Sequence, residues 1–475
     1  MVLTAFLAFL LMFLAIGVAS YLRSRGTTAD YYLASSAVHP ALVGLSAVAT
    51  NNSGYMFIGV IGYTYSTGLP AFWLMAGWII GDFLASLAVH HELRRTTTRT
   101  ASITFPAALA RWTGAHHRTI RITAALLTIM FLGAYAAAQL SAGGKALHSL
   151  FGWSPQAGAV LVAAVVALYC LAGGIRASIW TDAAQSVVMM LAMGVLLIAA
   201  VQGLGGPIAS WQQLEAIPGY MSWFPENLLL PGVAGMLLFV VGWLFAGLSV
   251  IGQPHILIRF MALDQPERLW HARAWYYGFF TIFYALATGV GLLSRIYLPE
   301  LGAMDPELAL PTMAQALLPP VLVGLILAGI FAATMSTADS LVLSCSASLT
   351  NDLSHTPVRS IARTKIATLL VTLLALGIAV AQTQSVFDLV ILAWSTLASA
   401  FAPLLIILAR GHRPAELHSL AMMILGAATA LAWRQTGLHE QVYEGLPGIL
   451  VGLAAYYVPV WLRIASPLDQ PANER

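Results

Sequence analysis

Thirteen apolar runs, most of them about 20 residues or longer, succeed one another along the chain, at 2-22, 40-66, 69-91, 120-149, 156-172, 180-203, 227-252, 274-298, 319-350, 364-382, 386-409, 416-433 and 445-463. A run of that length crosses the hydrocarbon core of a bilayer as a helix. In lipid each backbone polar group must find its partner inside the structure, so such a chain folds as a bundle of helices. Composition agrees, with 59% hydrophobic and 9% charged residues, where a soluble domain carries about 25% charged. The expected fold is an all-α polytopic membrane protein with about 13 transmembrane helices. The run at 156-172 is the shortest, and only Gln382, Thr383, Gln384 and Ser385 part the runs at 364-382 and 386-409. The first run lacks a basic start and a small-residue cleavage site, and reads as a retained helix. Cys170 and Cys345 fall in apolar runs with no His or Cys at ligand spacing and read as packing residues.

Charge tests the helix count independently. With the N-terminus outside, strict alternation puts 19 of the 22 basic residues on the inner side: Arg23, Arg25, Arg94, Arg95, Arg99, Arg111, Arg118, Arg121, Arg176, Arg259, Arg268, Arg273, Arg359, Arg363, Lys365, Arg410, Arg413, Arg463 and Arg475. Only Lys145, Arg295 and Arg434 fall outside. A wrong count would scramble that bias, so the expected orientation in the cell (inner or plasma) membrane is N-out and C-in. The net charge of +3 thus reports topology and implies no nucleic-acid partner. The outer connections 204-226 and 299-318 carry no Lys or Arg, and Trp211, Trp223 and Pro225 suggest partly folded segments that form an external lid.

Phe331 to Ser340 is the most polar part of the run at 319-350, a span that should cross the membrane. At helical spacing Ser336, Thr337, Asp339 and Ser340 share one broad face. Hydroxyls and a carboxylate suit a hard cation such as Na⁺, whereas softer metals would want the Cys and His that this face lacks. A carboxylate at membrane depth is costly enough to mark function. The alternative is that the hydroxyls bond back to carbonyls one turn earlier and Asp339 lies in a solvated vestibule.

Two spans are interrupted. In the second, Ser46, Thr50, Asn51, Asn52, Ser53 and Gly54 place polar or Gly positions at mid-membrane. Such a break must line a cavity or bind an ion. In the seventh, Gly242, Gly247 and Ser249 make a softer point among bulky residues. The two lie five helices apart, as in inverted-repeat secondary transporters with their sites at the midplane. The expected organisation is one transporter domain, 1-475: an extra N-terminal helix at 1-25, five-helix repeats at 40-203 and 227-410, and two flanking helices at 411-475.

Several local motifs then resemble one family. They are Asn52-Ser53-Gly54, Gly173-Gly174-Ile175-Arg176 with Trp180-Thr181-Asp182, Gly252-Gln253-Pro254-His255-Ile256-Leu257 with Arg259-Phe260-Met261-Ala262, and Met335-Ser336-Thr337 with Thr350-Asn351-Asp352-Leu353. In order and spacing, from about residue 28 to 410, they resemble the solute:sodium symporter family, and within it the bacterial sodium/proline symporter branch. The resemblance implies a five-plus-five inverted-repeat fold and a sodium site between the second and ninth spans. It implies that backbone carbonyls around Ala49 and Asn52, with the hydroxyls of Ser336 and Thr337, hold that Na⁺, and that Ser53 and Gly54 shape the break. Asp182, with Asp339 and Ser340, matches positions some members use for a second Na⁺; the alternative for Asp182 is a cap at the inner end of the sixth helix. The branch has an aspartate where this chain has Asn51, and a serine where it has Asp339, so Asp339 is expected to return the missing carboxylate.

For the solute, the resemblance implies Tyr135, whose ring can cover an apolar body while its hydroxyl bonds a polar end. An ordinary buried tyrosine is the alternative. Gln139 lies one turn on and can face the same cavity or serve as a bonded core residue. The tryptophan of that branch aligns with Ala246, with Trp243 and Phe245 nearby, so the pocket is rebuilt there. Trp394 and Ser395 are candidates to close it. His90, His91, His116, His117, Arg94 and Arg95 read as anchors to anionic lipid, Asp388 as the start of the eleventh helix, and Gln253-Pro254 as the end of the seventh. Asp82 has no partner visible in the sequence.

The implied function is a sodium-coupled symporter importing a small organic solute, proline or a related amino acid, with Na⁺ as the coupling ion. An enzyme would need a nucleophile and base, or a His-rich cluster, at membrane depth, and the spans offer none. A transporter-like sensor would need a partner protein to supply its output, and another small organic acid is the remaining alternative solute.

Overall fold

The computed structural model describes residues 1–23, 25–300, 305–354, 360–381 and 385–462. Its main helices are α1 (Val2–Ala19), α2 (Pro40–Gly54), α3 (Ile61–Thr67), α4 (Ala71–Thr100), α5 (Arg118–Phe151), α6 (Pro155–Gly203), α7 (Gly232–Leu248), α8 (Pro254–Met261), α9 (Leu269–Tyr297), α10 (Pro320–Ala347), α11 (Ile361–Ala381), α12 (Val386–Ala409), α13 (Glu416–Gln435) and α14 (Gly445–Trp461). Among the described residues there is no β-strand. Ten helices, rather than the expected thirteen, are by themselves long and apolar enough to cross a membrane. Arg359, Arg463, Arg475 and the connection at 382-384 lie outside the described residues.

Each departure from the expected count has a local cause. The second run is split into α2 and α3 by a π-helical turn, Tyr55–Val60, so neither piece is long enough alone. The last, α14, has 17 residues. The runs at 156-172 and 180-203 are joined in α6, whose 49 residues would reach about 74 Å if straight, over twice the hydrocarbon core. The helix turns instead at Gly174, with φ 57° and ψ −143°. A side chain there would run into the carbonyl of Tyr31, so the kink demands glycine. Just past it, Arg176 meets Asp30 at 2.6 Å and fastens the kink to the short helix Thr28–Leu33. Burial alone would raise the Asp30 carboxyl, but the Arg25 N–H, Arg176 and the Ser35 hydroxyl outweigh it and hold it below the usual range.

Two spans form the centre. In those of α10 and α12, 89% of the most apolar window is buried within the protein, against 22% for α1 and 33% for α11 and α13. α10 packs on α6, α5, α2 and α1. α4 and α7 approach closely through Gly77, Gly81 and Gly247: a Cβ on Gly247 would lie 2.6 Å from the carbonyl oxygen of Gly77. Small residues spaced four apart permit such contact, where lipid supplies no hydrophobic drive between helices.

Both interrupted spans are broken. In α2 the break falls at Ser53, with φ 39° and ψ 177°. The seventh span breaks one turn later than expected: a 3-10 turn, Ser249–Gly252, follows α7, and Gln253 is extended at φ −104° and ψ 97°. Pro254 excludes helix at Gln253 but opens a new one. The chain therefore does not leave the bundle at Pro254, and α8 runs on through wholly buried residues. The starts and ends of the broken helices are tied by backbone bonds, Val38 N–H to Ala262 O and Asp264 N–H to Val38 O, both 3.1 Å.

The expected lid is partly a strap. The 204-226 connection contains the helix Pro207–Glu215, and beyond it the carbonyl of Tyr220 accepts the N–H of Leu69 at 2.9 Å while its hydroxyl donates to the carbonyl of Thr64 at 3.0 Å. In 299-318, Glu307 accepts the N–H groups of Val386 and Phe387 at 3.2 and 2.9 Å, filling the open start of α12, and pairs with Lys145.

Candidate ion and solute site

At the break of α2 the freed backbone groups are satisfied by side chains. The N–H of Gly54 donates to Gln139 Oε1 at 2.8 Å, and that of Tyr55 to Ser53 Oγ at 3.0 Å. Tyr135 donates its hydroxyl to Ser53 Oγ at 3.2 Å. A side chain at Gly54 would lie 2.9 Å from Gln139 Oε1 and 2.5 Å from Thr334 Cγ2, so glycine is what lets α5 and α10 close on the break. Gln139 and Tyr135 are thus both brought to the break.

Across from it, α10 presents its polar face. Ser336 Oγ lies 3.2 Å from Ala49 O and 3.1 Å from Ala333 O, and Thr337 Oγ1 donates to Thr50 O at 2.8 Å. Of the expected set, Ser336 meets Ala49, while Thr337 meets the carbonyl of Thr50 and not that of Asn52. Asn52 has neither side-chain atom hydrogen-bonded, although both are buried. Ser336 has a second acceptor for its proton in Ala333, so its oxygen can turn to a cation without stranding that proton. These residues fit a hard cation with oxygen ligands. Among the described residues, no group of three or more His, Cys, Asp or Glu offers an alternative metal site.

Next to this seat lies a second cluster. Asp182 Oδ2 accepts from Ser46 at 2.6 Å and from Arg259 at 3.1 Å, while Asp339 Oδ1 accepts from Ser178 at 3.0 Å and Ser340 at 2.7 Å and lies 3.9 Å from Arg259. None of Asp182, Asp339 or Arg259 has exposed surface. The solvated vestibule offered as the alternative for Asp339 is therefore excluded, and so is the cap for Asp182, which lies within the unbroken second half of α6. The Ser340 hydroxyl lies 2.6 Å from Ser336 O and 2.7 Å from Asp339 Oδ1, and its single proton can go to either, so both of its expected bonds are in reach. Asp182 Oδ1 and Asp339 Oδ2 have no partner.

Arg259 corrects the loop expected after the seventh span. It lies on α8, donates to Ser46, Ser178, Ser340, Asp182 and His255 O, and joins α2, α6 and α10. A buried charge must be paired, and the apolar Ile256, Leu257, Ile258, Phe260 and Met261 around Arg259 were the signal that it is not in a loop. Nor does the expected lipid anchoring hold for His90 and Arg94. His90 stacks on Phe260 with centroids 3.9 Å apart, and Arg94 donates to Leu263 O at 2.7 Å.

The expected exchange between Asn51 and Asp339 is not what the fold brings together. Asn51 Nδ2 donates to the Tyr276 hydroxyl at 2.5 Å, and Tyr276 donates to Asp82 Oδ2 at 2.6 Å. Asp82 thereby acquires its partner, and Asp339 belongs to Arg259 instead.

Around Tyr135 the walls are aromatic. Its ring lies 5.4 Å from His255 and 6.4 Å from Trp394, Trp394 lies 5.0 Å from Trp78, and Trp78 lies 5.7 Å from Tyr55. Tyr55 and Tyr63 both stack on Phe387, at 5.3 and 5.1 Å. This column leads to a cavity of about 730 Å³ lined by Tyr63, Trp243, Phe387, Asp388, Arg434 and Glu444 among others. Trp243 thus stands in the wall of that cavity, stacked on Tyr443, and not beside Tyr135. Phe245 is half-buried and contributes its carbonyl to Ser249. Ala246 offers its carbonyl to Trp394 Nε1 at 3.2 Å, while Ser395 turns to Glu444. Buried polar atoms without partners concentrate near Tyr135: Gln139 Nε2, Gln253 Oε1, both ring nitrogens of His255, Tyr55 Oη and Trp78 Nε1. Nearly all buried polar groups in a fold are paired, so this concentration leaves hydrogen-bonding positions open to a polar molecule. Sequence reasoning passed over Trp78 and named Gln253 and His255 only as part of a motif, since all three lie far from Tyr135 along the chain.

Comparisons with known proteins bear on this geometry. The family model "Sodium:solute symporter family" matches residues 31–426. The chain is 30% identical over 455 residues to the high-affinity proline transporter PutP of Bacillus subtilis, covering 94% of each. It is 31% identical over 465 residues to sodium/proline symporter 2 of Staphylococcus saprophyticus, covering 94% of this chain and 89% of that one. Among solved structures, a substrate-bound, outward-open Na⁺-coupled sialic acid symporter superposes with a TM-score of 0.82 over 99% of both chains, at 17% identity, a likeness of fold.

Proposed function

The chain belongs to the sodium:solute symporter family and is a sodium-coupled symporter, and from that premise we propose that it imports proline or a closely related amino acid. Supporting the solute class are the proline transporters at about 30% identity over nearly the whole chain. The observation that carries the mechanism is the break at Ser53 of α2, held on one side by Ser336 and Thr337 of α10 and on the other by Tyr135 and Gln139 of α5. Na⁺ sits between Ala49, Asn52, Ser336 and Thr337, and the solute lies against Ser53, Gly54, Tyr135, Gln139 and the ring of Trp394. One helix break serves both ligands, so each favours the geometry the other needs. Asp182, Asp339 and Ser340 form a second cation station, with two formal negative charges against the single positive charge of Arg259.

The halves 40-203 and 227-410 act as the two repeats, each opening on a broken helix, and rock against each other to alternate access. The protein lies in the cell membrane with its N-terminus outside, as the distribution of Lys and Arg supports, so the cavity beside Trp243 faces outward. Ala246, where the proline branch has tryptophan, leaves the solute's apolar body to Trp394 and Trp78. A panel of labelled amino acids and small organic acids, offered to proteoliposomes with and without an inward Na⁺ gradient, tests this reading. The expected result is Na⁺-driven uptake of proline or a near relative. Uptake indifferent to Na⁺ overturns the coupling, and Na⁺-driven uptake of other solutes alone overturns the solute assignment.

A further inference from the structure

Asp82 lies in the middle of α4 with no exposed surface, and both its oxygens are filled by hydroxyls from α9, Oδ2 by Tyr276 at 2.6 Å and Oδ1 by Tyr277 at 3.1 Å. An ionised carboxylate only accepts, and a tyrosine has a single hydroxyl proton. With that proton given to Asp82, the Tyr276 oxygen must accept from the next group in the chain. That group is the Asn51 side chain at 2.5 Å, which therefore turns its NH₂ toward Tyr276. The direction of the amide follows from the network. Its Oδ1 is left buried and without a partner, as are both side-chain atoms of Asn52, the next residue. Three orphaned polar atoms on adjacent residues at a helix break point to a ligand that supplies their partners.

We propose that Asp82 is a positioning residue for the solute: through Tyr276 it fixes the direction of the Asn51 amide, reserving Asn51 Oδ1 as an acceptor for an N–H of the solute's ammonium group. The inference rests on the reading that the solute is an amino acid. It makes Asn51 one end of a directed chain of hydrogen bonds, Asn51 to Tyr276 to Asp82, that spans α2, α9 and α4. Without the carboxylate the order can reverse, with Tyr276 donating to Asn51 Oδ1 and the acceptor withdrawn from the solute.

The test combines transport with ligand-free melting of the purified full-length protein. Tyr276→Phe and Asp82→Asn are each expected to raise the solute concentration for half-maximal uptake about tenfold while the maximal rate changes little. Tyr277→Phe, which removes a hydroxyl outside the chain, leaves that concentration nearly unchanged. Asn51→Asp sets two carboxylates on one hydroxyl proton and lowers the melting temperature. The swap Asn51→Asp with Asp82→Asn reverses the chain and recovers most of that loss and of the solute affinity. Additive melting shifts in the swap overturn the chain itself. Coupled melting shifts with unchanged solute affinity in Asp82→Asn and Tyr276→Phe overturn the positioning role. A wild-type protein that takes up no amino acid overturns the solute assignment and the solute role of Asn51 together, and the melting cycle then still decides whether the chain exists.

Discussion

Arg259 and Asp182 meet at 3.1 Å with no exposed surface on either side chain, and Asp339 lies 3.9 Å from the same guanidinium. Removing one member of a buried ion pair leaves its partner uncompensated at a cost of about 3–5 kcal/mol. Arg259→Gln is therefore expected to lower the melting temperature of the purified protein markedly. Asp339→Asn in that background should recover part of the loss, because it removes one of the two stranded charges. If the second change brings no recovery, the two carboxylates do not share the guanidinium's charge.

Asp339→Asn alone leaves Arg259 and Asp182 as a balanced pair and takes away the excess negative charge. The Hill coefficient for Na⁺ in uptake should then fall toward one, with the solute still carried. A Na⁺ dependence identical to wild type would remove the second cation station.

The hydroxyls of Ser336 and Thr337 face the carbonyls of Ala49 and Thr50. Changing either to Ala should raise the Na⁺ concentration for half-maximal uptake by about tenfold, equivalent to about 1.4 kcal/mol of binding. Surface labelling should report normal amounts of protein in the membrane. Variants that keep the wild-type Na⁺ dependence would place the ion elsewhere.

With both proposed seats on α2, Na⁺ and solute are expected to tighten each other by the same factor. Calorimetry of the purified protein in Na⁺ and in choline buffer measures one side, and Na⁺ titration with and without solute the other. Equal solute affinity in the two buffers would break the proposed link through the helix break.

The kink at Gly174 offers a fold-level check. Gly174→Ala must place a methyl group against the carbonyl of Tyr31 in a positive-φ conformation. It should cost about 1–3 kcal/mol, read as a lower melting temperature. Gly278→Ala on α9, where a methyl group meets nothing within 4 Å, should be neutral or slightly stabilising.

The polar face at Ser336 to Ser340 was legible in the sequence because helical spacing is local, and three or four residues decide which side chains share a side. The break at Asn51 to Gly54 was legible because a run of polar and small residues at membrane depth survives only where it lines a cavity or holds a ligand. What lay beyond reach depends on distant pairings. Tyr276 is separated from Asn51 by 225 positions and from Asp82 by 194, and no local pattern joins them. Arg259 was misplaced for a different reason. A rule that counts basic residues between apolar runs assigns each to a loop, and Pro254, read as an end, is equally suited to begin the helix that carries Arg259 inward. Trp243 and Phe245 were drawn to the solute by their nearness to Ala246 in sequence, but Phe245, one position away, points to another side of the helix, and Trp243, on the same side, lies a turn off and lines the cavity with Tyr63 and Phe387 instead.

The tie between Val38 and the segment 262-264 involves only main-chain atoms. It couples the start of α2 to the end of α8 as two levers sharing a pin, so tilting one broken helix drags the other. In the rocking proposed above, one swing then serves where two independent ones would otherwise be needed. Since no side chain forms the pin, the residues of the proposed solute pocket, such as Ala246 or Trp394, are free to change without loosening it.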